Sequence, residues 1–181
     1  IMYFANFPVI PYDSVGNYNF KLVTNLLKRV AVRAKVKTNI VLYDTYDVKE
    51  GETPEILADK LYNDPEYHWV ILLLNDITDR YHQWPMSYPQ FIAYVLEKYG
   101  GQTEVDATHH YEISQTSGRT SSKGPNDYSH LVECNSDESG ATTITNREYE
   151  NREQDKKRSI RLLRQIYLND FIAEFDNLIA E

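Results

Sequence analysis

Two helix-start signals in quick succession constrain this chain more than any other feature. Thr53-Pro54-Glu55 and Asp64-Pro65-Glu66 each supply three things. A side-chain oxygen caps free N–H groups, a proline has the fixed φ that suits the first helical position, and an acid meets the positive helix end. They predict two short helices, Glu55 to Tyr62 and Glu66 to Leu74. Both fall in the stretch from Tyr46 to Pro85, which also holds both tryptophans and the longest apolar run, Trp69 to Leu74. Upstream, Ile40 to Val48 is β-branched and aromatic and ends at the turn Lys49-Glu50-Gly51, so it reads as a strand. Strand, turn and two helices form the centre of the chain.

The flanks are read against that centre. Residues 1–20 are rich in Pro, Asn and aromatics and show neither helical nor strand period. They predict an extended arm anchored by Tyr3, Phe4, Phe7 and Ile10, lying on its own domain or on a neighbour. Phe20 to Ala34 reads as a basic amphipathic helix, because Leu22, Leu26 and Val30 recur every four residues. After the central stretch, Asn75-Asp76 marks a turn and Ile77 to Pro85 reads as irregular. Ser87 to Tyr99 is a third helix, ended by Gly100-Gly101. From Gln102 to Thr145 the segments HHYEISQ and HLVEC alternate like half-buried strands around the polar loops SGRTSSKGPND and NSDESGATT. Asn146 to Glu181 reads as one long helix, charged in its first half and apolar in its second through Ile160, Leu163, Tyr167, Phe171, Phe175 and Leu178.

The resulting expectation is an α+β chain in four parts. Residues 1–39 form the arm and basic helix, 40–100 the core module with the third helix, 101–145 the polar hairpin and 146–181 the C-terminal helix. With 181 residues and one cysteine, Cys134, no internal disulfide framework is available. No run reaches the ~18 apolar residues of a membrane span. The N-terminus lacks a basic leader and carries Pro8 and Pro11, so no signal peptide is expected. Formal net charge is -8, which argues against nucleic acid. The charge is segregated: Lys21 to Lys37 carries six cations and no acid, while Asp44 to Glu66 carries eight acids against two lysines. Such segregation suits contacts between parts of an assembly, and two solvated faces would look the same. Fifteen tyrosines offer flat amphipathic surface for core or interface.

Catalytic signatures are missing from the sequence. It has no phosphate-binding glycine loop, no Gly-x-Ser-x-Gly and no His-Glu-x-x-His. His109, His110, His130 and Cys134 are weighed as a zinc set and set aside, since neighbours on a strand point to opposite faces. Glu50, Glu52, Glu55 and Asp59 are read as capping and dipole acids rather than a catalytic pair. His68, Trp69, Tyr81, His82 and Trp84 could stack sugar rings. Trp69 is expected in the core, while Tyr81 and Trp84 are expected at the surface.

The segment YDVKEGETPEILADKLY resembles the first half of a LysM module: a strand, a turn at Gly51-Glu52-Thr53, and a helix with Ile56, Ala58 and Leu61 inward. The likeness runs through Asn75. It departs where DITDRYHQWPMS stands in place of that family's closing Gly-x-x-Leu-x-Ile strand. A longer pattern is narrower: Pro54-Glu-x-Leu57-Ala58, Tyr62-x-Asp64-Pro65, Trp69-Val70, Leu73, Asn75-Asp76 and an aromatic run ending in Trp84. It resembles the baseplate wedge proteins of T-even-like contractile-tailed phages. That similarity takes in the basic segment upstream, the Tyr99-Gly100 helix end and the C-terminal residues Arg158, Ile160 and Phe175.

The resemblance implies a LysM-like β-α-α core in a non-enzymatic virion protein of the tail baseplate, assembled in the host cytoplasm. Its partners would be other wedge and hub-proximal tail proteins in a six-fold ring, with no nucleic acid, membrane, metal or cofactor. A LysM-type module binding N-acetylglucosamine glycans is the alternative. The candidate interaction and motif residues are Tyr3, Phe4, Phe7, Gly51, Thr53, Pro54, Trp69, Asn75, Asp76, Tyr81, Trp84, Pro85, Tyr167, Phe171 and Phe175.

Overall fold

The computed structural model describes residues 3–32, 41–115 and 130–180 and shows an α+β chain. The chain forms two compact units, one from residues 1–85 with 157–181 and the other from residues 86–156.

In the first unit, β3 (Tyr43–Asp47) leads into a turn where Gly51 takes φ 76°, a left-handed value open to glycine. α1 (Pro54–Tyr62) starts as the sequence predicts: Thr53 Oγ1 accepts the Ile56 N–H at 3.3 Å, and Pro54 occupies the first turn. The inward face of α1 is Leu57, Ala58 and Tyr62, while Ile56, expected inward, is exposed. Asp64 caps the second start through the Glu66 N–H at 2.8 Å. The first turn there is a tighter 3-10 helix, Pro65–Tyr67, before α2 (His68–Leu74). Ile77 to Pro85, expected irregular, contains the one-turn α3 (Arg80–Gln83), capped by Asp79.

The long C-terminal helix is corrected. Helix α6 (Asn146–Arg158) ends, and Ser159–Leu163 becomes strand β7. A 3-10 turn at Gln165–Tyr167 then opens α7 (Leu168–Ala180). β7 pairs antiparallel with β3, from Tyr43↔Leu163 to Asp47↔Ser159. Ile160 and Leu162 alternate with Ser159 and Arg161, and the unpaired backbone of β3 outweighs the helical spacing of the apolar residues around them. The Tyr62 hydroxyl locks the join by donating to the Leu163 carbonyl at 3.0 Å. Leu168, Ile172, Phe175 and Ile179 of α7 complete a core with Val70, Ile71 and Leu74 of α2.

A second correction concerns the N-terminal region. Where a basic helix over Phe20 to Ala34 was expected, β2 (Lys21–Thr24) pairs antiparallel with β1 (Val9–Tyr12), and the first twenty residues therefore contain a strand. The Asp13 carboxylate closes the connecting loop by accepting the Val15, Gly16 and Tyr18 N–H groups at 3.1, 2.8 and 2.6 Å. The Asn25 side chain then caps Leu27 at 3.1 Å, breaking any helix at that point. Ala34 lies outside the described residues.

The second unit opens with α4 (Tyr88–Tyr99), whose start is bracketed by Ser87 and Gln90 and whose end is Gly100 at φ 82°. A short α5 (Gln102–Val105) follows. Strands β4 (Thr108–Gln115), β5 (His130–Cys134) and β6 (Thr142–Thr145) form an antiparallel sheet in the order β5-β4-β6. The two predicted strands are present, and the end of the NSDESGATT segment adds the third. The SGRTSSKGPND loop lies outside the described residues. Phe91, Val95 and Val105 make a small apolar core.

Candidate assembly surface

The aromatic residues expected as interaction anchors meet in the first unit. Tyr3 lies 5.4 Å from Trp69 and 5.3 Å from Phe175 between ring centroids, and Trp69 lies 4.6 Å from Phe175. Phe7 packs on Tyr3 and Phe4 at 5.2 Å, and Phe171 reaches Trp69 at 6.3 Å. The N-terminal arm therefore lies on its own chain. Phe7, Trp69 and Phe175 are buried, Tyr3, Tyr167 and Phe171 are half-buried, and Phe4 is exposed. A groove of about 750 Å³ opens beside the cluster, lined in part by Tyr3, Phe4, Leu26, Arg29, Trp69 and Leu73.

The acids at the start of α1 are structural. Glu52 is buried and accepts from Lys60 Nζ at 2.7 Å, the Tyr46 hydroxyl at 2.8 Å and the Lys49 N–H at 3.0 Å. Burial alone would raise its carboxyl; the three donors outweigh that and bring it down to about 2. Glu55 pairs with Arg80 at 2.5 Å. Trp84 was expected at the surface, but it is 6% exposed and its indole donates to the Glu52 carbonyl at 2.8 Å. An indole whose N–H finds an acceptor inside the fold gains more by packing than by facing water. Tyr81 is 84% exposed as expected, and Pro85 is half-buried.

Asn75 and Asp76 do form the turn after α2, with Asp76 at φ 54°. Asn75 does more than turn the chain. Its amide nitrogen donates to the Arg161 carbonyl at 2.8 Å and its oxygen accepts the Arg161 N–H at 2.8 Å, so the side chain bonds the outer edge of β7 as a strand would. It also donates to the Ile71 carbonyl at 2.9 Å, holding β7 against α2.

In the second unit, a register shift between Thr108 and His110 breaks the strict alternation assumed for the histidine pair. His109 Nδ1 and His110 Nδ1 come within 2.7 Å, and His109 stacks on Tyr149 at 4.1 Å between centroids. His110 meets Glu112 at 2.8 Å, which also binds Arg152 at 2.6 Å. Among the described residues no group of three or more His, Cys, Asp or Glu is placed to hold a metal.

The surface that the sequence reading missed is the hairpin. Val9, Tyr12, Leu22 and Val23 on its strands, and Val15, Tyr18 and Phe20 in its loop, are all exposed. The signal was available: two β-favouring tetrads, VIPY and KLVT, flank the turn formers Asp13, Ser14, Gly16 and Asn17.

Comparison with known proteins gives two findings. A family described as base plate wedge protein 53 matches residues 2–178. The baseplate wedge protein gp53 of Enterobacteria phage T4 is 29% identical over 94 residues, a stretch covering 52% of this chain and 42% of that protein.

Proposed function

The chain belongs to the base plate wedge protein 53 family, structural components of the phage tail baseplate, and from that premise we propose that it joins neighbouring wedge subunits into the ring around the tail hub. The family match along nearly the whole chain carries this reading. The surface chemistry supports it: an apolar hairpin exposed on both strands, next to a cation-rich segment and opposite in sign to the acid-rich stretch that follows. Interfaces in obligate assemblies draw on such apolar surface. The residues offered for contact are the accessible members of the aromatic set, Phe4, Tyr81 and the open sides of Tyr3, Tyr167 and Phe171. Phe7, Trp69, Trp84 and Phe175 serve instead by holding the platform rigid.

That platform is LysM-like in the order of its elements. The run β3-α1-α2 is closed by β7, an antiparallel strand far downstream of the point after Asn75 where the sequence has none. Everything between Asp76 and Arg158 is then an insertion in a β-α-α-β module. Glycan binding is the second reading for such a module; the inward turn of Trp84 removes one ring from the surface that would stack on sugar.

The test is reconstitution of baseplates from wedge proteins with and without this chain. Closed rings are expected only with it, and equal yields of rings without it would overturn the proposal. Retention of the purified chain on peptidoglycan sacculi in place of wedge binding would favour the glycan reading.

A further inference from the structure

Among the described residues the two small sheets of the first unit each have one closed edge and one open edge. In the β1-β2 hairpin the Asn25 N–H donates to the Pro8 carbonyl at 2.8 Å, continuing the register that pairs Val9 with Thr24. Hydrogen bonding alternates along an antiparallel pair, so the backbone groups of Val9 and Pro11 point outward from β1 and those of Leu22 and Thr24 outward from β2. Pro11 has no N–H and blocks the β1 edge. The β2 edge has no such block.

The same count applies to β3-β7. The Val48 N–H donates to the Arg158 carbonyl at 2.9 Å and the Arg164 N–H to the Leu42 carbonyl at 3.0 Å. Tyr43, Thr45 and Asp47 therefore face outward from β3, and Ser159, Arg161 and Leu163 outward from β7. Asn75 already fills the β7 edge at Arg161. Among the described residues nothing bonds the outward backbone groups of β3.

The open edges are opposite in charge. β2 begins at Lys21, the first of six cations in a segment without an acid, and β3 carries Asp44 and Asp47 at the head of the acid-rich stretch. Both side chains are exposed; Asp44 is engaged by Arg164 at 2.9 Å, and among the described residues Asp47 has no ion pair. Pairing β2 with β2, or β3 with β3, would set like charges together. A two-stranded hairpin with Leu22 75% exposed and Val9 61% exposed is marginal until something covers it.

We propose that the β2 edge of one copy adds to the β3 edge of a second copy, joining β1-β2 and β3-β7 into one four-stranded sheet across the contact. The patches differ, so the contact is head-to-tail. The joined pair keeps one free edge of each kind, and the series closes into a ring if its rotation allows. This goes beyond the wedge-joining role and does not rest on it: wedge joining through other partners can hold while self-association fails.

The test is sedimentation of the full chain over a concentration series. Wild type is expected to give species larger than a dimer. Leu22→Pro and Thr45→Pro remove outward N–H groups and leave the native pairs untouched, and each alone should be monomeric. Mixed, they should form a 1:1 dimer and nothing larger, because one sound edge of each kind remains. Circular dichroism melts identify any variant that fails to fold. For that case the charge pair provides the second route. Lys21→Glu and Asp47→Lys should each weaken association about threefold, and the two combined in one chain should restore it. A monomeric wild type, a Leu22→Pro chain that associates like wild type, or a charge-swapped chain without recovery would each overturn the proposal. So would amide protection at Leu22 and Thr24 that arises only on addition of other wedge proteins.

Discussion

The two units reach stability by different means. Among the described residues the first buries 18 apolar side chains in one cluster, drawn mainly from the N-terminal arm, β3, α1, α2, β7 and α7. Among the described residues the second buries four, Phe91, Val95, Val105 and Ile144, and adds charge. Glu150 accepts from Lys98 at 2.6 Å and the Tyr99 hydroxyl at 2.9 Å, Glu112 accepts from Arg152, and Asp106 pairs with Arg147 at 3.1 Å. Burial of apolar area is non-directional and insensitive to salt, whereas charge networks are directional and screened. A small unit with so few buried apolar side chains therefore depends on its polar contacts in a way the first does not.

The sharpest way to break that contrast is Phe175→Ala. Phe175 contacts Tyr3, Phe7 and Trp69, so truncation loosens the arm, α2 and α7 at once, at a cost of about 4 kcal/mol. Hydrogen exchange should accelerate at the Ile160 and Leu162 amides of the first unit, which face β3, more than at Ile113 and Val132 of the second. Equal acceleration in both would mean that the two share one stability after all.

The matching probe of the second unit is Glu150→Ala. Glu150 is 4% exposed, and its removal leaves the Lys98 ammonium and the Tyr99 hydroxyl without their acceptor, a loss of about 3 kcal/mol. The Ile113 and Val132 amides should now exchange faster than those of β7. Raising salt should mimic part of this effect in the second unit and little of it in the first.

Glu52 is the exception that sharpens the rule, a buried carboxylate in the apolar unit. Its folded pKa of about 2 lies below the ordinary 4.5. The stability it contributes is therefore present above pH 4.5 and lost as pH falls toward 2. Lys60, its main partner, is 60% exposed, so screening reduces the contribution to about 2 kcal/mol. Glu52→Gln should flatten that part of the acid limb in β3 and α1, read by melts between pH 5 and 2. An acid limb unchanged in the variant would remove Glu52 from the account.

What the sequence made legible follows the same division between local and distant causes. Caps are local, so Thr53 and Asp64 announced their helices, and Gly100 ended α4 as expected. The strands β4 and β5 alternate within their own length. Two segments misled because their spacing fits both periods. Leu22 and Leu26 are four apart, which is a helical step and an even strand step alike. Ile160 and Leu163 read as helix, yet Ile160 and Leu162 alternate as strand, and the deciding partner β3 lies more than a hundred residues upstream. Trp84 misled for a related reason: its acceptor is the carbonyl of Glu52, remote in sequence. Among the candidate interaction residues, the aromatic type was readable, but which ring faces outward depended on these distant pairings.

The smallest effect is expected from Lys156→Ala. Lys156 stands on the same helix as Glu150 and also holds a salt bridge, to Glu153. Both partners are open to water, with side chains 72% and 36% exposed. Water already solvates such a pair, and fixing two long side chains costs entropy that offsets the attraction. The substitution should leave the melting temperature unchanged within error, while Glu150→Ala, two turns earlier on that helix, shifts it by several degrees. Comparable shifts for the two would mean that the number of ion pairs, rather than the burial of one carboxylate, holds the second unit together.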